Sequence, residues 1–159
     1  MSELALMVAI ANNGAIGKNG DLPWNYPDDR DHFEAMTKGH VVIMGKRTWL
    51  EAGAPFGLRS IVVSKTLQLP NPKPLDVWQV GSLDEALTLA WSMDSRPFVI
   101  GGAPLFLEAL PKVTHIYLTE VPDAPDADTF FNLDRRGFTV VSEKTFPNGL
   151  KFVNLERTR

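Results

Sequence analysis

The chain has 159 residues, of which 44% are hydrophobic and 22% are charged, and its formal net charge is −3. A chain of this size can bury the core of one soluble domain, and its slight negative charge provides no basic surface for nucleic acid. It contains no cysteine, which excludes disulfide scaffolds and thiolate metal sites. Residues 1–3 do not resemble a signal peptide, and the first apolar run is too short to cross a membrane, so we expect a cytoplasmic protein.

Residues 4–11 (LALMVAIA) form that first apolar run, which predicts a central strand buried on both faces. The run leads into residues 12–21, where Gly14, Gly17 and Gly20 recur at every third position. Glycines at this density predict a mobile loop, although the G-x-G-x-x-G signature of dinucleotide sites is absent. The residues alone leave open whether the loop is an ordinary surface connection or closes over a ligand.

Residues 22–38 (LPWNYPDDRDHFEAMTK) carry the most informative pattern in the chain. Two prolines bracket an extended lead-in, and the second of them, Pro27, can begin a helix. In that helix Asp29 shares a face with Phe33, whereas Asp28 is rotated away by about 100°. We therefore expect the carboxyl of Asp29 to point inward.

An inward carboxylate costs free energy unless hydrogen-bond donors satisfy it, and two interpretations of Asp29 are open. It can serve with Asp28 as an acidic helix cap, because the helix dipole favours negative charge there. It can instead hold a ligand that presents adjacent N–H donors, such as the edge of an amidine-like heterocycle. In that case burial would raise its pKa and allow it to manage a proton.

Two further strand ends carry cations and hydroxyl groups. The strand predicted at residues 41–44 runs into Gly45-Lys46-Arg47-Thr48-Trp49, where Thr48 can cap a short helix. The strand predicted at residues 61–63 ends at Ser64-Lys65. Cations and free N–H groups at a strand end suit an anion such as a phosphate, although paired cations are also common in solvated turns.

The remaining segments continue the alternation of strands and helices. Further strands are predicted at residues 76–80, 97–100, 114–121, 139–145 and 151–157, and further helices at residues 83–91 and 104–110. Ser82 is expected to cap the helix at 83–91, and residues 147–149 (PNG) predict a hairpin turn. Gly101-Gly102 would let a ligand approach the backbone closely.

This order of elements predicts an α/β fold in a single domain. We expect a mostly parallel central β-sheet of about eight strands, an antiparallel C-terminal hairpin and about four flanking helices. In such sheets ligands bind beyond the carboxyl ends of the strands. His32, His40 and His115 share no metal-ligand spacing, so no metal is expected.

Several of these segments together resemble the dihydrofolate reductase family of the bacterial chromosomal type. The spacing Pro-Trp-x-x-x-Pro-x-Asp-x-x-x-Phe from Pro23 to Phe33 is the most specific feature, and the Gly-Lys-Arg-Thr-Trp and Gly-Gly segments match as well. The resemblance covers the whole chain. It implies reduction of 7,8-dihydrofolate to 5,6,7,8-tetrahydrofolate by NADPH, with hydride to C6 and a proton to N5, in a monomer that binds antifolate-type molecules.

The resemblance also implies which residues touch the ligands. The residues that it assigns to catalysis are Asp29, Leu22, Trp24 and Thr119. The substrate-binding positions are Met7, Val8, Ala9, Asp29, Arg30, Phe33, Ala52, Phe56, Arg59, Ile100 and Thr119. The cofactor-binding positions are Ala9, Ile16, Gly17, Leu22, Gly45, Lys46, Arg47, Thr48, Ser64, Lys65, Ile100, Gly101, Gly102, Ala103, Pro104, Leu105 and Phe106.

Some of these positions have individual roles in the family. Lys46 with Ser64 and Lys65 would face the 2′-phosphate, which favours NADPH over NADH. Arg59 would clamp the α-carboxylate of the glutamyl tail, for which a bidentate guanidinium is well suited. Asp128 would support the glycine loop as it closes. An adenosine-binding lobe is expected at about residues 40–94, with a larger lobe built from residues 1–39 and 95–159.

The chain departs from the usual family pattern at Arg30, at Ala103-Pro104 and at Phe106. The family usually has an uncharged residue at the first of these positions, so we expect Arg30 to weaken antifolate binding. Two rival functions share parts of the pattern. A related reductase acts on a ribosylamino-pyrimidine but lacks the Pro-Trp…Asp…Phe run, and a catalytically silent paralogue would bind NADPH or a partner without turnover.

Overall fold

The computed structural model describes residues 2–17, 23–52, 59–69 and 75–158. Within these residues the strands are β1 (Ala5–Ala11), β2 (Ala15–Gly17), β3 (Val41–Gly45), β4 (Arg59–Val63), β5 (Val77–Val80), β6 (Phe98–Gly101), β7 (His115–Val121), β8 (Thr129–Phe130), β9 (Phe138–Thr145) and β10 (Lys151–Arg157). The helices are α1 (Pro27–Thr37), α2 (Lys46–Ala52), α3 (Leu83–Trp91) and α4 (Ala103–Ala109), the last followed by a 3₁₀ turn at Leu110–Lys112.

One eight-stranded sheet forms the centre of the molecule, in the order β5-β4-β3-β6-β1-β7-β10-β9. The pairs from β5 to β7 are parallel, whereas β10 is antiparallel to both β7 and β9. The predicted fold class is therefore confirmed, including the parallel centre and the antiparallel C-terminal hairpin. This order places β1, the first strand of the chain, between β6 and β7.

Both faces of the sheet are covered, as the continuous apolar sequence of β1 predicts. Successive side chains in a strand point to opposite faces. Leu6 and Val8 pack on the face that also holds the buried residues of α3 and α4. Ala5 and Met7 pack on the other face, with Trp49 of α2 and the half-buried side chains of α1. The strand therefore separates two helical layers.

Helix α1 begins at a proline and is followed by a glycine, and both residues explain its bounds. Pro27 occupies the first turn, where its missing N–H removes no hydrogen bond. The chain leaves the helix through Gly39, whose φ of +80° is a left-handed conformation that favours glycine. Phe33 and Met36 pack onto the sheet. The predicted start at Pro27 and stop before Gly39 are confirmed.

Helix α3 matches its prediction to the residue. Ser82 caps it, since its Oγ accepts a hydrogen bond from the Glu85 N–H at 3.1 Å. Its buried side chains are Leu83, Ala86, Leu87 and Ala90, the predicted apolar stripe. The cap and the stripe agree, which explains why this helix could be predicted from local sequence alone.

The glycine-rich segment predicted as a loop contains β2, which pairs with β8 in a separate two-stranded sheet. The pairing extends to Gly14, whose carbonyl accepts from the Phe131 N–H at 2.9 Å. Neither short strand has the alternation of polar and apolar residues that predicts a strand. The long-range pairing itself holds both segments extended.

The hairpin between β9 and β10 turns at the predicted Pro-Asn-Gly. Gly149 has φ of +90°, and its N–H donates to Phe146 O at 2.9 Å. A Cβ built on Gly149 would lie 3.2 Å from two carbons of Pro122, whereas one on Gly39 would meet nothing within 4 Å. The two glycines therefore share a left-handed backbone but differ in the space around it.

We expect Gly149→Ala to lower the free energy of unfolding more than Gly39→Ala. Each substitution costs about 1–2 kcal/mol for a Cβ in a left-handed conformation. Gly149→Ala adds crowding against Pro122, worth about 1–3 kcal/mol in a packed site. Urea unfolding of the two variants beside the parent measures the difference. Equal losses would contradict the crowding.

Candidate active site

The carboxyl of Asp29 lies at the start of α1 and is buried, with 8% of the residue exposed. Asp28 beside it is exposed, as the helical spacing predicts. Thr119 of β7, which is 2% exposed, and Trp24 of the lead-in lie next to the Asp29 carboxyl. Three separate parts of the chain therefore enclose one carboxyl at the carboxyl end of β7.

Burial raises the pKa of Asp29 above its ordinary value, because an ionised carboxyl loses hydration in this position. Hydrogen bonding from the Thr119 hydroxyl and the Trp24 indole acts in the opposite direction and lowers the pKa in part. The net shift is upward. The group is thus able to hold a proton at higher pH than an exposed aspartate.

The indole N–H of Trp24 is a second polar group at this point. Trp24 Nε1 is buried, and within the described residues no acceptor completes a hydrogen bond of full geometry with it. The contact with Asp29 therefore falls short of a complete hydrogen bond, so the indole N–H can still donate to a molecule bound beside that carboxyl. Asp29 and Trp24 together offer an acceptor and a donor side by side.

The extended lead-in to α1 is itself anchored. Tyr26 Oη donates to Asp123 Oδ2 at 2.9 Å, and this hydrogen bond raises the pKa of Tyr26. The contact connects the segment before α1 to the loop after β7. It was not predicted, although a tyrosine between Trp24 and Pro27 and an acidic loop were both visible in the sequence.

Strand alternation divides the predicted substrate positions between the two faces of the sheet. Met7, Phe33 and Ile100 lie with α1 and α2 on one face, and Ala9 packs beside Trp24. The side chain of Val8 lies on the opposite face, with α3 and α4. Met7, Phe33 and Ile100 therefore share the face of the sheet that carries α1 and α2, whereas the side chain of Val8 points away from that face.

The turns after β3 and β6 meet at the carboxyl edge of the sheet. Gly101 and Gly102 are joined by a cis peptide bond. A Cβ on Gly101 would lie 3.4 Å from Thr48 Oγ1, and one on Gly102 would lie 3.7 Å from the same atom. A Cβ on Gly45 would lie 4.0 Å from Gly101 O. The glycines therefore leave backbone surface open where the two turns meet, so a ligand could approach it closely.

The prediction that Thr48 caps α2 is wrong. Helix α2 begins at Lys46, so Thr48 lies inside its first turn, and its hydroxyl lies beside the two glycines of the β6–α4 turn. A cap would have directed the hydroxyl to its own helix. The observed position makes Thr48 a link between the two turns instead.

Lys46, which follows β3, reaches the turn that follows β4. Lys46 Nζ donates to Thr66 Oγ1 at 3.0 Å, and Ser64 Oγ accepts from the backbone N–H groups of Thr66 and Leu67 at 3.1 and 3.0 Å. Lys65 is exposed beside them. Sequence reasoning missed Thr66, although it follows the predicted Ser64-Lys65 pair directly.

Arg47 stands apart from this group. Its guanidinium Nε bonds Glu51 Oε1 at 2.7 Å, four residues along α2, and the side chain is mostly exposed. The hydrogen bond that Arg47 donates to Glu51 raises the pKa of the guanidinium. An exposed i,i+4 pair of this kind is weak, so the pairing does not prevent Arg47 from meeting an anion.

Helix α4 carries the last predicted cofactor positions. Ala103 is half-buried and Pro104 is exposed at its start, whereas Leu105 and Phe106 are buried. The Phe106 ring lies 5.3 Å from the ring of Phe131, between centroids. Phe106 thus packs beneath Gly101 as part of the core that supports the turn.

The described part of the glycine-rich segment ends at Gly17. Ile16 and Gly17 of β2 are half-buried, and the Gly17 carbonyl accepts from the Asp128 N–H at 3.1 Å. This contact is made by the backbone of Asp128, and the support of the loop by its side chain stays a prediction. The predicted positions Leu22 and Phe56 and the side chain of Ala52 lie outside the described residues.

The Arg59 side chain lies on the face of the sheet opposite α1. Its Nη2 donates to Gly39 O at 3.2 Å and its Nη1 to Met93 O at 3.5 Å. Arg59 is two residues from Ile61, so both side chains leave β4 toward the face of α3. The predicted clamp on a glutamyl tail would have to form on the face of α1.

Two classes of site are not found in the described parts of the chain. No group of three or more histidine, aspartate or glutamate side chains is arranged to hold a metal ion there. Among the same residues no helix is long and apolar enough to cross a lipid bilayer.

Comparison with known proteins gives one consistent family. The family model described as dihydrofolate reductase matches residues 3–157. Dihydrofolate reductase type 3 of Salmonella typhimurium is 36% identical over 164 residues, covering 98% of this chain and 99% of the relative. Dihydrofolate reductase of Mycobacterium tuberculosis is 38% identical over 125 residues, covering 76% of this chain and 73% of the relative.

A solved structure shares the fold over nearly the whole length. The dihydrofolate reductase of Enterococcus faecalis, complexed with NADP(H) and RAB-propyl, superposes with a TM-score of 0.87 at 24% sequence identity. The match covers 99% of this chain and 97% of that one.

The raised pKa of Asp29 predicts a pH-dependent gain in stability for Asp29→Asn. Above the ordinary aspartate pKa of 3.8 the unfolded chain ionises this group more readily than the folded chain, so the parent loses stability as pH rises through that window. Asparagine cannot ionise. We expect a higher Tm for Asp29→Asn at pH 7, by about 2–4 °C per kcal/mol regained, and convergence with the parent below pH 3.8.

Thermal unfolding from pH 3 to pH 8 measures this difference, with Asp28→Asn as the matched control because Asp28 is exposed in the same turn. The control should show no gain that grows with pH. A Tm for Asp29→Asn below the parent value throughout would mean that the ionised carboxyl stabilises the fold.

Proposed function

The chain belongs to the dihydrofolate reductase family, and from this premise we infer that it reduces 7,8-dihydrofolate to 5,6,7,8-tetrahydrofolate. NADPH supplies the hydride that C6 of the pterin receives, and N5 receives a proton. The observation that carries the inference is the buried Asp29 carboxyl beside Thr119 and Trp24, at the sheet edge where the glycine turns meet.

Asp29 matches the chemistry of the pterin ring. The 2-amino group and N3 of a dihydropterin present adjacent N–H donors, and a carboxylate accepts two such donors in one plane. Binding there also favours the protonated ring electrostatically, because the negative charge of Asp29 is poorly screened when buried. The amidine-like ligand left open by the sequence is thus the interpretation that the burial of Asp29 supports.

Asp29 binds the edge of the pterin that lies opposite N5. The carboxyl therefore holds and polarises the ring, and we propose that a water molecule carries the proton to N5. The glycine loop, fixed at its base by the β2–β8 pairing, would exclude other water when it closes. Positioning and exclusion of solvent are the contributions that the protein makes to hydride transfer.

The residues at the sheet edge fit NADPH. A Cβ at Gly101 or Gly102 would occupy the space beside Thr48 Oγ1, so the glycines keep the backbone open to a close ligand. Lys46 lies with Ser64 and Thr66 at the end of β4, where a cation and hydroxyl groups suit the 2′-phosphate. The turn at Gly101 and Gly102 would hold the nicotinamide half of NADPH. The residues at the end of β4 would hold its adenosine half.

The same proposal includes the lobes, the assembly state, the location and the inhibitors of the enzyme. The adenosine-binding lobe corresponds to residues 40–94, which supply β3, β4 and β5 at one end of the sheet. The enzyme is proposed to act as a monomer in the cytoplasm without nucleic acid. Antifolate-type molecules that copy the amidine edge of the pterin would bind at Asp29.

We expect purified protein to oxidise NADPH in the presence of dihydrofolate and Asp29→Asn to lose most of this activity. Proton management and ring orientation by one positioned carboxyl contribute about 10²- to 10⁴-fold in rate, so kcat/KM should fall by that order at pH 7. Loss of nicotinamide absorbance measures turnover. The matched control is Asp28→Asn, whose side chain is exposed and faces away.

Two other results would lead to different conclusions. Tight NADPH binding without turnover would identify a silent paralogue. Turnover that is equal in the parent and Asp29→Asn would show that the site is not centred on this carboxyl.

We expect Lys46→Gln to weaken the binding of NADPH and to leave the binding of NADH unchanged. Removing one charged donor to a phosphate costs about 1.5–3 kcal/mol, so KM for NADPH should rise at least about tenfold while KM for NADH stays unchanged. Steady-state kinetics with both cofactors measure the ratio. Lys112→Gln is the control, since Lys112 pairs with Asp84. An equal rise for both cofactors would place Lys46 away from the 2′-phosphate.

A further inference from the structure

We propose that Tyr26 and Asp123 are positioning residues for the proposed reaction, and that their hydrogen bond keeps the Asp29 carboxyl in place beside Thr119. The proposal rests on the proposed function, because it concerns how that site orients the pterin. Three features of the structure support it: the way in which α1 begins, the contact made by the Tyr26 side chain, and the attachment of Asp123 to β7.

Helix α1 begins without a side chain that caps it. Tyr26 occupies the N-cap position in an extended conformation, and its side chain makes no capping hydrogen bond. Asparagine, aspartate, serine and threonine are preferred at such positions, because their oxygens accept from N–H groups of the first turn. Only the carbonyl of Tyr26 is available for this, and it accepts from the N–H groups of Asp29 and Arg30 at 3.1 and 3.3 Å. The turn that carries Asp29 is therefore bonded to the backbone of Tyr26.

The side chain of Tyr26 makes a tertiary contact instead. Its ring packs against the buried cluster that includes Val121 and Leu150. Its hydroxyl donates to Asp123 Oδ2 at 2.9 Å, across 97 residues of sequence. Hydrogen bonds to ionised acceptors are roughly twice as strong as those between neutral groups. The start of α1 is thus held by a distant carboxylate in the place of a local cap.

Asp123 is itself attached to β7 and β1. It lies two positions after Val121, the last residue of β7, and its carbonyl accepts from the Asn12 N–H at 2.8 Å. Asn12 directly follows Ala11, which is paired with Val121. Asp123 therefore continues the pairing of β1 with β7 beyond the edge of the sheet. Its position relative to Thr119, four residues earlier, is set by that pairing.

The hydrogen bond between Tyr26 and Asp123 therefore adds a point of attachment between α1 and β7. Within the site, the Thr119 hydroxyl already bonds the Asp29 carboxyl. One contact alone would let the first turn of α1 pivot about it, whereas a further contact three residues earlier fixes the orientation of the turn. A displacement of about 1 Å in a group that orients a substrate can lower the rate about 10²-fold. Tyr26 and Asp123 can thus influence hydride transfer without touching the substrate.

The test begins with Tyr26→Phe, which removes the hydroxyl and keeps the packed ring. Hydride transfer from NADPH to dihydrofolate is measured in a single turnover at pH 7, beside the Kd for NADPH. We expect the rate of hydride transfer to fall about three- to tenfold, the effect of one lost hydrogen bond, and the Kd for NADPH to stay unchanged. Tyr117→Phe is the matched control and should change neither quantity, since Tyr117 is the other tyrosine of the chain and its ring lies 5.5 Å from the Arg96 guanidinium.

Variants of the acceptor show whether the hydrogen bond itself is responsible. Asp123→Ala should slow hydride transfer as much as Tyr26→Phe does, and the double variant should be no slower than either single variant. Asp123→Asn keeps an acceptor oxygen for the Tyr26 hydroxyl and should retain most of the parent rate. Losses that multiply in the double variant would overturn the pairing of the two residues.

A comparison in the Asp29→Asn background separates positioning of the carboxyl from a general loss of stability. The group that the hydrogen bond positions is absent there, so Tyr26→Phe should slow hydride transfer no further. An equal fold-loss in both backgrounds would show that Tyr26 acts independently of Asp29, and it would overturn the proposal.

Amide hydrogen exchange tests the same hydrogen bond without substrate. The N–H groups of Asp29 and Arg30 donate to Tyr26 O, so they should exchange faster in Tyr26→Phe and Asp123→Ala than in the parent and in Tyr117→Phe. Unchanged exchange in both variants would overturn the proposal. If the parent does not transfer hydride, the proposed function fails, whereas the exchange rates still decide whether Tyr26 and Asp123 hold the first turn of α1.

Discussion

The position of β1 in the middle of the sheet is the constraint on which the rest of the structure depends. Parallel neighbours pair with both of its edges, and apolar side chains cover both of its faces. Because side chains alternate along a strand, β1 sends one row to α1 and the other to α3 and α4. A shift of β1 by one residue would move every one of its side chains to the opposite face of the sheet. The side chains around Asp29 and the core beneath the glycine turns therefore lie on opposite faces of the sheet, and both depend on the position of β1.

The site buries a carboxyl group and surrounds it with hydrogen-bond donors that lower the free-energy cost of its charge. Burial of the Asp29 carboxyl disfavours its charge, while Thr119 and Trp24 recover part of that cost through hydrogen bonding. A ligand with adjacent N–H donors would recover more of that cost, and in the proposed function this ligand is the 2-amino and N3 edge of the pterin. The same logic applies to the glycines at the sheet edge, where the absence of side chains leaves backbone for a cofactor to approach.

Local signals and long-range contacts account for what the sequence could and could not predict. Helix α3 carries its own cap and stripe, and the Pro-Asn-Gly turn carries its own conformation, so both were predictable. The pairing of β2 with β8 joins segments more than a hundred residues apart, and neither shows a strand pattern. The family resemblance identified Asp29 and the glycine pair, but the face on which Arg59 leaves β4 depends on the register of the strand. Residue type and approximate spacing do not fix that register.

The strand order also has a consequence for synthesis on the ribosome. Leu4 donates its backbone N–H to the side chain of Thr114, 110 residues later, and β1 is paired along its whole length by β7. At about 5–20 residues per second, a newly made β1 waits about 5–20 s before its partner leaves the exit tunnel. During that interval one of the most apolar segments of the chain is without its native neighbours. Until β7 has been made, the apolar side chains of β1 can be covered only by segments that precede it in the chain or by another molecule.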